Sequence, residues 1–217
     1  MTLQSIINKR ELKHLVHFTT TLNLESILKH GLYSHLDSEN DVVDAYINDG
    51  ERLEGLKNGI CLSLTFPNSK MFYSCRQRGI YPDWCVLVLD INILQEKDCL
   101  FFDTNAAFGK FRNVNLENLA TAQALDSLFA DEIQNKDGLL QRSNSLLTND
   151  TTDVQAEVIC MEHIEPRYIQ GAIFNSNNLM NLYGTNYPDK RFVSHQGKWG
   201  VFDNRINARA NGYKGVS

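Results

Sequence analysis

The 217-residue sequence has no C-x-x-C pair, no glycine-rich phosphate loop, no membrane-length apolar run and no excess of positive charge. Each absence removes a class of function. The five cysteines, Cys61, Cys75, Cys85, Cys99 and Cys160, are odd in number and sit mostly in apolar company. That pattern speaks for reduced, buried thiols in a cytoplasmic protein and against a disulfide framework. Neither G-x-x-x-x-G-K-[ST] nor G-x-G-x-x-G occurs, so any nucleotide is held by something other than a glycine-rich loop. The first ten residues lack the apolar stretch of a signal peptide. Val86-Leu87-Val88-Leu89 stops at Asp90, far short of the roughly 20 residues of a membrane span. With a net charge of −5, contact with nucleic acid requires a local patch of Lys and Arg.

What is present describes a globular chain. Hydrophobic residues make up 42% and charged residues 22%, and a chain of this length buries a sizeable core unaided. No repeat or linker divides it, so one α+β domain over residues 1–217 is expected. Residues 2–11 suit a short amphipathic helix, and His14 to Thr19 a first strand. Asn23 to Leu32 reads as a helix with Asn23 as its cap, Leu24, Ile27 and Leu28 on one face and Gly31 at its end. Residues 33–57 are acidic and expected to be mobile. Gly59 to Thr65 reads as a second strand. Pro67 then starts a helix over about 67–78. Trp84 to Ile93 is the strongest strand, and Cys99 to Phe102 a short one. Helical periodicity runs through 116–133, and 134–153 is polar enough to be a loop. Thr152 to Met161 reads as a strand, as does Ile169 to Phe174, with a short helix from Asn177 to Tyr183. From about 187 the tail is basic and irregular.

The chemistry gathers slowly. Cys160 and His163 have ligand spacing, but a zinc site needs a second pair. Cys75 lies near arginines, yet no base accompanies it. What remains is scattered: His17 and Thr19 on the first strand, Ser63 and Thr65 on the second, Arg76 and Arg78 on the helix after it, Gln155 and Glu157 on a late strand. Two residues apart on a strand, Gln155 and Glu157 share a face. A carboxylate in an apolar strand has a partner, an exposed edge or a job. Read alone, each member also has an ordinary explanation: a core histidine, sheet hydroxyls, a solvated helix face, a surface glutamate.

Together these stretches resemble the DarT-type bacterial DNA ADP-ribosyltransferases, toxins of toxin–antitoxin pairs. The resemblance is carried by His14-Leu15-Val16-His17-Phe18-Thr19, by Asn23 to Leu28 with Gly31-Leu32, by Phe66-Pro67-Asn68-Ser69-Lys70-Met71-Phe72-Tyr73, and by Gln155-Ala156-Glu157-Val158 leading to Ile164 and Pro166. It spans residues 14 to about 175. The Pro-x-Ser-x-Met-x-Tyr order is its most distinctive part, and the tail beyond about 185 adds nothing.

The resemblance implies an ADP-ribosyltransferase-like split two-sheet core with flanking helices, gripping NAD in the cleft between the sheets. It implies that His17 and Thr19 hold a ribose of NAD, with Ser63 and Met71 lining the site. Arg76 or Arg78 would meet the pyrophosphate as a guanidinium fork, Arg76 being favoured and counted with the catalytic groups. Glu157 would be the catalytic carboxylate. Gln155 would orient the acceptor, and loop 134–153, with Arg142, would recognise it. No metal is implied. The acceptor would be a base in single-stranded DNA, since base chemistry needs an unstacked target. The middle segment departs from the thymine-modifying pattern, which favours guanine, with thymine as the alternative. Lys110, Arg112, Arg142 and the basic tail would supply the local patch. The expected partner is an antitoxin hydrolase, of macrodomain type or similar, that removes the ADP-ribose, and the chain itself is expected to be a cytoplasmic monomer. Two other readings stay open: an ADP-ribosyltransferase acting on protein or RNA, and a non-catalytic binding module of the same fold.

Overall fold

The computed structural model describes residues 1–34, 36, 37, 46 and 55–215. The expected mobile acidic segment lies largely outside the described residues. Strand β1 (His14–Thr20) runs through the middle of a seven-stranded sheet, with β2 (Ile60–Leu64) and β3 (Trp84–Asp90) on either side. The full order is β4-β7-β2-β1-β3-β8-β9, where β4 is Cys99–Phe102, β7 Glu157–Cys160, β8 Ile169–Phe174 and β9 Arg191–Ser194. Neighbours are antiparallel except β8 and β9.

The two flanks of β1 are unequal. It pairs with β3 from His14–Asp90 to Thr20–Trp84, but with β2 only at Leu15–Leu64 and Val16–Ser63. Beyond Val16 the two strands part, and the sheet opens into a β4-β7-β2 half and a β1-β3-β8-β9 half. This is the split core that the resemblance implied.

Apolar residues cover both faces. Leu15, Leu87 and Val158 join Ile6, Leu24, Ile27 and Leu28, which come from helices α1 (Leu3–Lys9) and α2 (Leu24–His30). Val16 and Val86 pack on the other face with Phe72 and Cys75 of α3 (Ser69–Gln77). Full burial of one such side chain contributes about 1.5–3 kcal/mol, so the central strands are fixed from above and below. All five cysteines are free, and four are buried.

Local signals explain most starts and stops, with exceptions. Asn68 caps α3 by accepting from Met71 N at 3.1 Å, so the helix begins two residues after Pro67. Asn23 makes no cap bond. Its amide instead donates to Thr19 Oγ1 (3.0 Å) and Tyr46 O (2.8 Å) and accepts from Tyr46 N (2.8 Å). Gly31 ends α2 at φ +92°, where an added Cβ would lie 2.2 Å from Ile164 O.

The expected helical stretch 116–133 holds two short helices, α4 after β3 being Ile93–Glu96, α5 Leu116–Leu119 and α6 Ala122–Ser127. The expected loop 134–153 begins as a hairpin of β5 (Glu132–Asn135) and β6 (Gly138–Gln141). The tail is not irregular: α7 (Asn177–Asn186) leads to β9, and α8 (Arg205–Ala210) follows.

β9 sits close against Gly171, where a Cβ would lie 1.6 Å from Arg191 O. Gly171→Ala is therefore expected to push β9 off the sheet edge. Overpacking of this kind costs about 1–3 kcal/mol. Denaturant unfolding, with amide exchange rising at 191–194, is the check; an unchanged midpoint would contradict it.

Candidate active site

Glu157 opens β7 and is 9% exposed. The register puts Phe102 of β4 beside it, and continues Leu62–Val158 to bring Ser63 to its other side. Ser63 in turn pairs with Val16. Glu157 thus stands in a cross-strand row at the one place where the sheet is barely joined. Asn105, three residues beyond β4, donates from Nδ2 to Glu157 Oε1 at 2.9 Å. Asn105 is itself fixed, because its Oδ1 accepts from Ala107 N at 3.1 Å.

His17 occupies the point where β1 leaves β2. Its Nδ1 lies 2.8 Å from Cys61 O. A carbonyl only accepts, so Nδ1 carries the proton and Nε2 holds the lone pair in the neutral ring. Thr19 is buried and takes the Asn23 bond. Alternation sends His17 and Thr19 to the face of Leu15, whereas Ser63 shares the face of Val16. The structure therefore brings Glu157 and Ser63 together, sets His17 in the gap, and seals Thr19 beneath Asn23.

Gln155 differs from the sequence expectation. The strand begins at Glu157, and Gln155 lies in the turn before it. Asp153 Oδ1 accepts from Gln155 N at 2.9 Å, an Asx-type turn that ends extended pairing. Gln155 is 7% exposed, and its Nε2 is buried without a hydrogen-bond partner. A buried donor left unpaired costs free energy that a bound acceptor can recover. Asp153 is the hub of this turn, since its Oδ2 accepts from Thr104 Oγ1 (2.8 Å) and Asn135 Nδ2 (2.9 Å).

The two helix arginines differ. Arg76 is half-buried, and its Nε has no hydrogen-bond partner among the described residues. Its Nη2 donates to Phe202 O, and its guanidinium lies 4.8 Å from the Phe72 ring centroid. Burial pulls its pKa below the ordinary value, with Asp203 opposing. Arg78, at the C-cap of α3, is exposed. Met71 packs against the Val16–Phe72 cluster. Arg142 pins its own loop: Nη1 donates to Asp150 O (2.8 Å) and Thr152 Oγ1 (3.1 Å), and Nη2 to Leu147 O (2.8 Å).

Part of the expected basic patch is spent on contacts within the molecule. Lys110 pairs with Asp103 at 2.6 Å, Lys190 Nζ donates to Ile169 O at 2.9 Å, and Arg205 and Arg209 are buried. Lys110, Arg112, Arg191, Lys198 and Lys214 are exposed. Beside the acceptor turn is a cleft of about 420 Å³. It lies between the β5–β6 hairpin, Thr152 to Val154 and α8, with Asn135, Leu140, Leu146, Asp153 and Ile206 in its walls. Lys70 of α3 reaches Asp137 at its edge, 3.4 Å away.

Among the described residues, no three His, Cys, Asp or Glu side chains stand together as a metal site. His163 instead meets His30 O at 2.8 Å through Nε2. No helix among the described residues is long and apolar enough to cross a membrane.

With this geometry in place, the family follows from comparison. The model of the DarT family, described as ssDNA thymidine ADP-ribosyltransferase, matches residues 16–196. The chain belongs to the DarT family. Membership makes it an ADP-ribosyltransferase of the DarT type. Thermus sp. 2.9 DarT in complex with NAD+ superposes with a TM-score of 0.53 at 16% identity, covering 86% of this chain and 96% of that one. Thermus sp. 2.9 DarT in complex with ADP-ribosylated ssDNA gives 0.50 at 17% identity, over 85% and 94%. Thermosipho africanus DarTG in complex with ADP-ribose gives 0.55 at 18% identity, over 84% of this chain and 49% of that one. This DarT-family chain thus spans about half the length of the Thermosipho chain. At such identities the likeness is one of fold. No curated protein matches the sequence. The guanine preference finds no support, because the matching family description names thymidine.

Near the site, Asn105 had no local sequence signal, and Arg205 and Arg209 had only a weak one. Asn105 meets Glu157 across 52 positions. Arg205 and Arg209 show one hint, a spacing of four that places both on one helix face, but nothing that reveals their burial.

Proposed function

We propose that this chain transfers ADP-ribose from NAD to a thymine base in single-stranded DNA, with Glu157 as the catalytic carboxylate. One observation carries the assignment of the residue. Glu157 is a nearly buried carboxylate, held by Asn105 at the mouth of the sheet's split, beside Ser63. The chemistry asks for such a group. As the bond between nicotinamide and ribose C1″ breaks, its electron pair leaves with nicotinamide, and positive charge spreads over the ribose ring. Glu157 stabilises that charge where water is largely excluded. A ring nitrogen of the base then bonds to C1″, and Glu157 receives the proton that the nitrogen loses. Ser63, on the face of Glu157, lines the ribose side of the split, and His17 closes the gap from the opposite face. Arg78 is the exposed cation of its pair for the pyrophosphate. Gln155, whose Nε2 lacks a partner, donates to the acceptor base. The hairpin and turn over 132–155 present that base. Within this reading the chain is one domain and a cytoplasmic monomer. An antitoxin hydrolase that removes the modification is its counterpart.

The test uses NAD with single-stranded oligonucleotides that carry one thymine, or one guanine, among adenines and cytosines. The thymine strand is expected to gain the mass of one ADP-ribose; the guanine strand, a duplex and RNA are not. Transfer to the guanine strand alone would reassign the base. Transfer only to RNA or protein would remove DNA as the acceptor. Intact NAD with every acceptor would leave only a binding module.

A further inference from the structure

Helix α8 lies beyond residues 16–196 that the family model matches, yet its arginines reach into the acceptor loop. Arg205 Nη1 donates to Thr151 Oγ1 (2.9 Å), and Nη2 to Thr151 O (2.7 Å) and Thr152 O (3.3 Å). Arg209 grips both oxygens of Asp150, Nε and Nη2 each at 2.7 Å. Three successive loop residues, 150 to 152, are thereby tied to one helix face. Asp150 is also tied to the sheet. Thr65, directly after β2 and at φ +57°, donates from Oγ1 to Asn149 O (3.1 Å) and Asp150 Oδ1 (3.4 Å).

The chain of bonds continues toward the reacting groups. Thr151 Oγ1 donates to Asp153 O at 2.6 Å, and Asp153 Oδ1 accepts from Gln155 N at 2.9 Å. It ends two residues before Glu157. Both guanidinium groups are buried, Arg205 at 2% and Arg209 at 7% exposure. Apolar residues would fill the same space without the cost of desolvating two cations, so packing does not account for them. A planar fork of donors that fixes backbone carbonyls in one geometry does.

We propose that α8 is part of the acceptor site, with Arg205 and Arg209 as positioning residues. They set the turn that carries Gln155 and so determine where the DNA base meets Glu157. The inference rests on the DNA-transferase reading.

Arg205→Met in the full chain tests it, read in three ways: kcat for transfer to single-stranded DNA at saturating NAD, NAD affinity by calorimetry, and amide exchange over 150–157. Misplacing reacting groups by about an ångström costs up to roughly a hundredfold in rate. The expected result is a fall in kcat of about ten- to a hundredfold with NAD affinity within about twofold, and faster exchange confined to the turn. Loss of transfer in step with NAD binding or folded fraction would overturn the proposal, as would unchanged transfer. If Arg205→Met does not fold, Arg205→Lys keeps the charge but loses the fork, and the same split is required of it. If the unmutated chain leaves DNA unmodified, the functional reading fails. The exchange measurement still judges the clamp, because unchanged protection over 150–157 in Arg205→Lys would sink it.

Discussion

Glu157→Gln is expected to abolish transfer while leaving a folded protein that binds NAD. The substitution preserves size and an oxygen that can accept the Asn105 bond now at 2.9 Å. It removes only the negative charge and the ability to take a proton. Because the site is nearly closed to water, with Glu157 at 9% exposure, a missing charge is not replaced by solvent. Loss of such electrostatic and acid–base assistance lowers rates by roughly a hundred- to ten-thousandfold, equivalent to about 3–5 kcal/mol of transition-state stabilisation. NAD affinity should change little, since that charge matters most once the nicotinamide bond begins to break. Mass-spectrometric rates on a thymine oligonucleotide, beside calorimetric NAD binding, separate the two effects. Transfer within about threefold of the unmutated chain would mean that another group performs the chemistry.

Periodic local signals were legible in the sequence; contacts between distant segments were not. Leu24, Ile27 and Leu28 show a helical face, and Cys85 to Leu89 a buried strand, because those patterns lie within one window. The place of Glu157 on a strand was legible for the same reason. Gln155 was misplaced by extending that alternation two residues too far, past an Asp153 side chain that turns the backbone. The β5–β6 hairpin was hidden by its polar composition, although Asp137-Gly138 between two short alternating runs is a hairpin signal. Arg76 and Arg142 look like free cations in a linear reading, since arginine is rarely buried. Their partners, Phe202 O for one and the carbonyls of Leu147 and Asp150 for the other, exist only once the loops have closed. The basic tail misled for the same reason: two of its arginines neutralise and brace the interior instead of facing DNA.

That bracing makes Asp150 the position with the largest expected effect on stability. Asp150→Ala leaves Arg209, whose side chain is 1% exposed against 0% for Asp150, without its counter-charge. It also takes from Leu147 N its 3.0 Å acceptor. Removing one member of a buried pair costs about 3–5 kcal/mol, because the other charge stays buried and uncompensated. For a chain of this size that corresponds to a fall of roughly 6–20 °C in Tm. The pH dependence has a definite sign. Burial alone would raise the Asp150 pKa, but the Arg209 hydrogen bonds and the charges of Arg205 and Arg209 outweigh it, so the folded value lies below the ordinary one. Its stabilisation is therefore complete above the unfolded carboxyl pKa of about 3.9 and is lost as pH falls through the lower folded value. Arg205 stays protonated throughout, although burial pushes it down to about 10. The gap in Tm between the unmutated chain and Asp150→Asn should hold from neutral pH to about 4 and close below it. A gap that widens on acidification, or one absent at neutral pH, would show that the charge on Asp150 does not hold α8 to the acceptor loop.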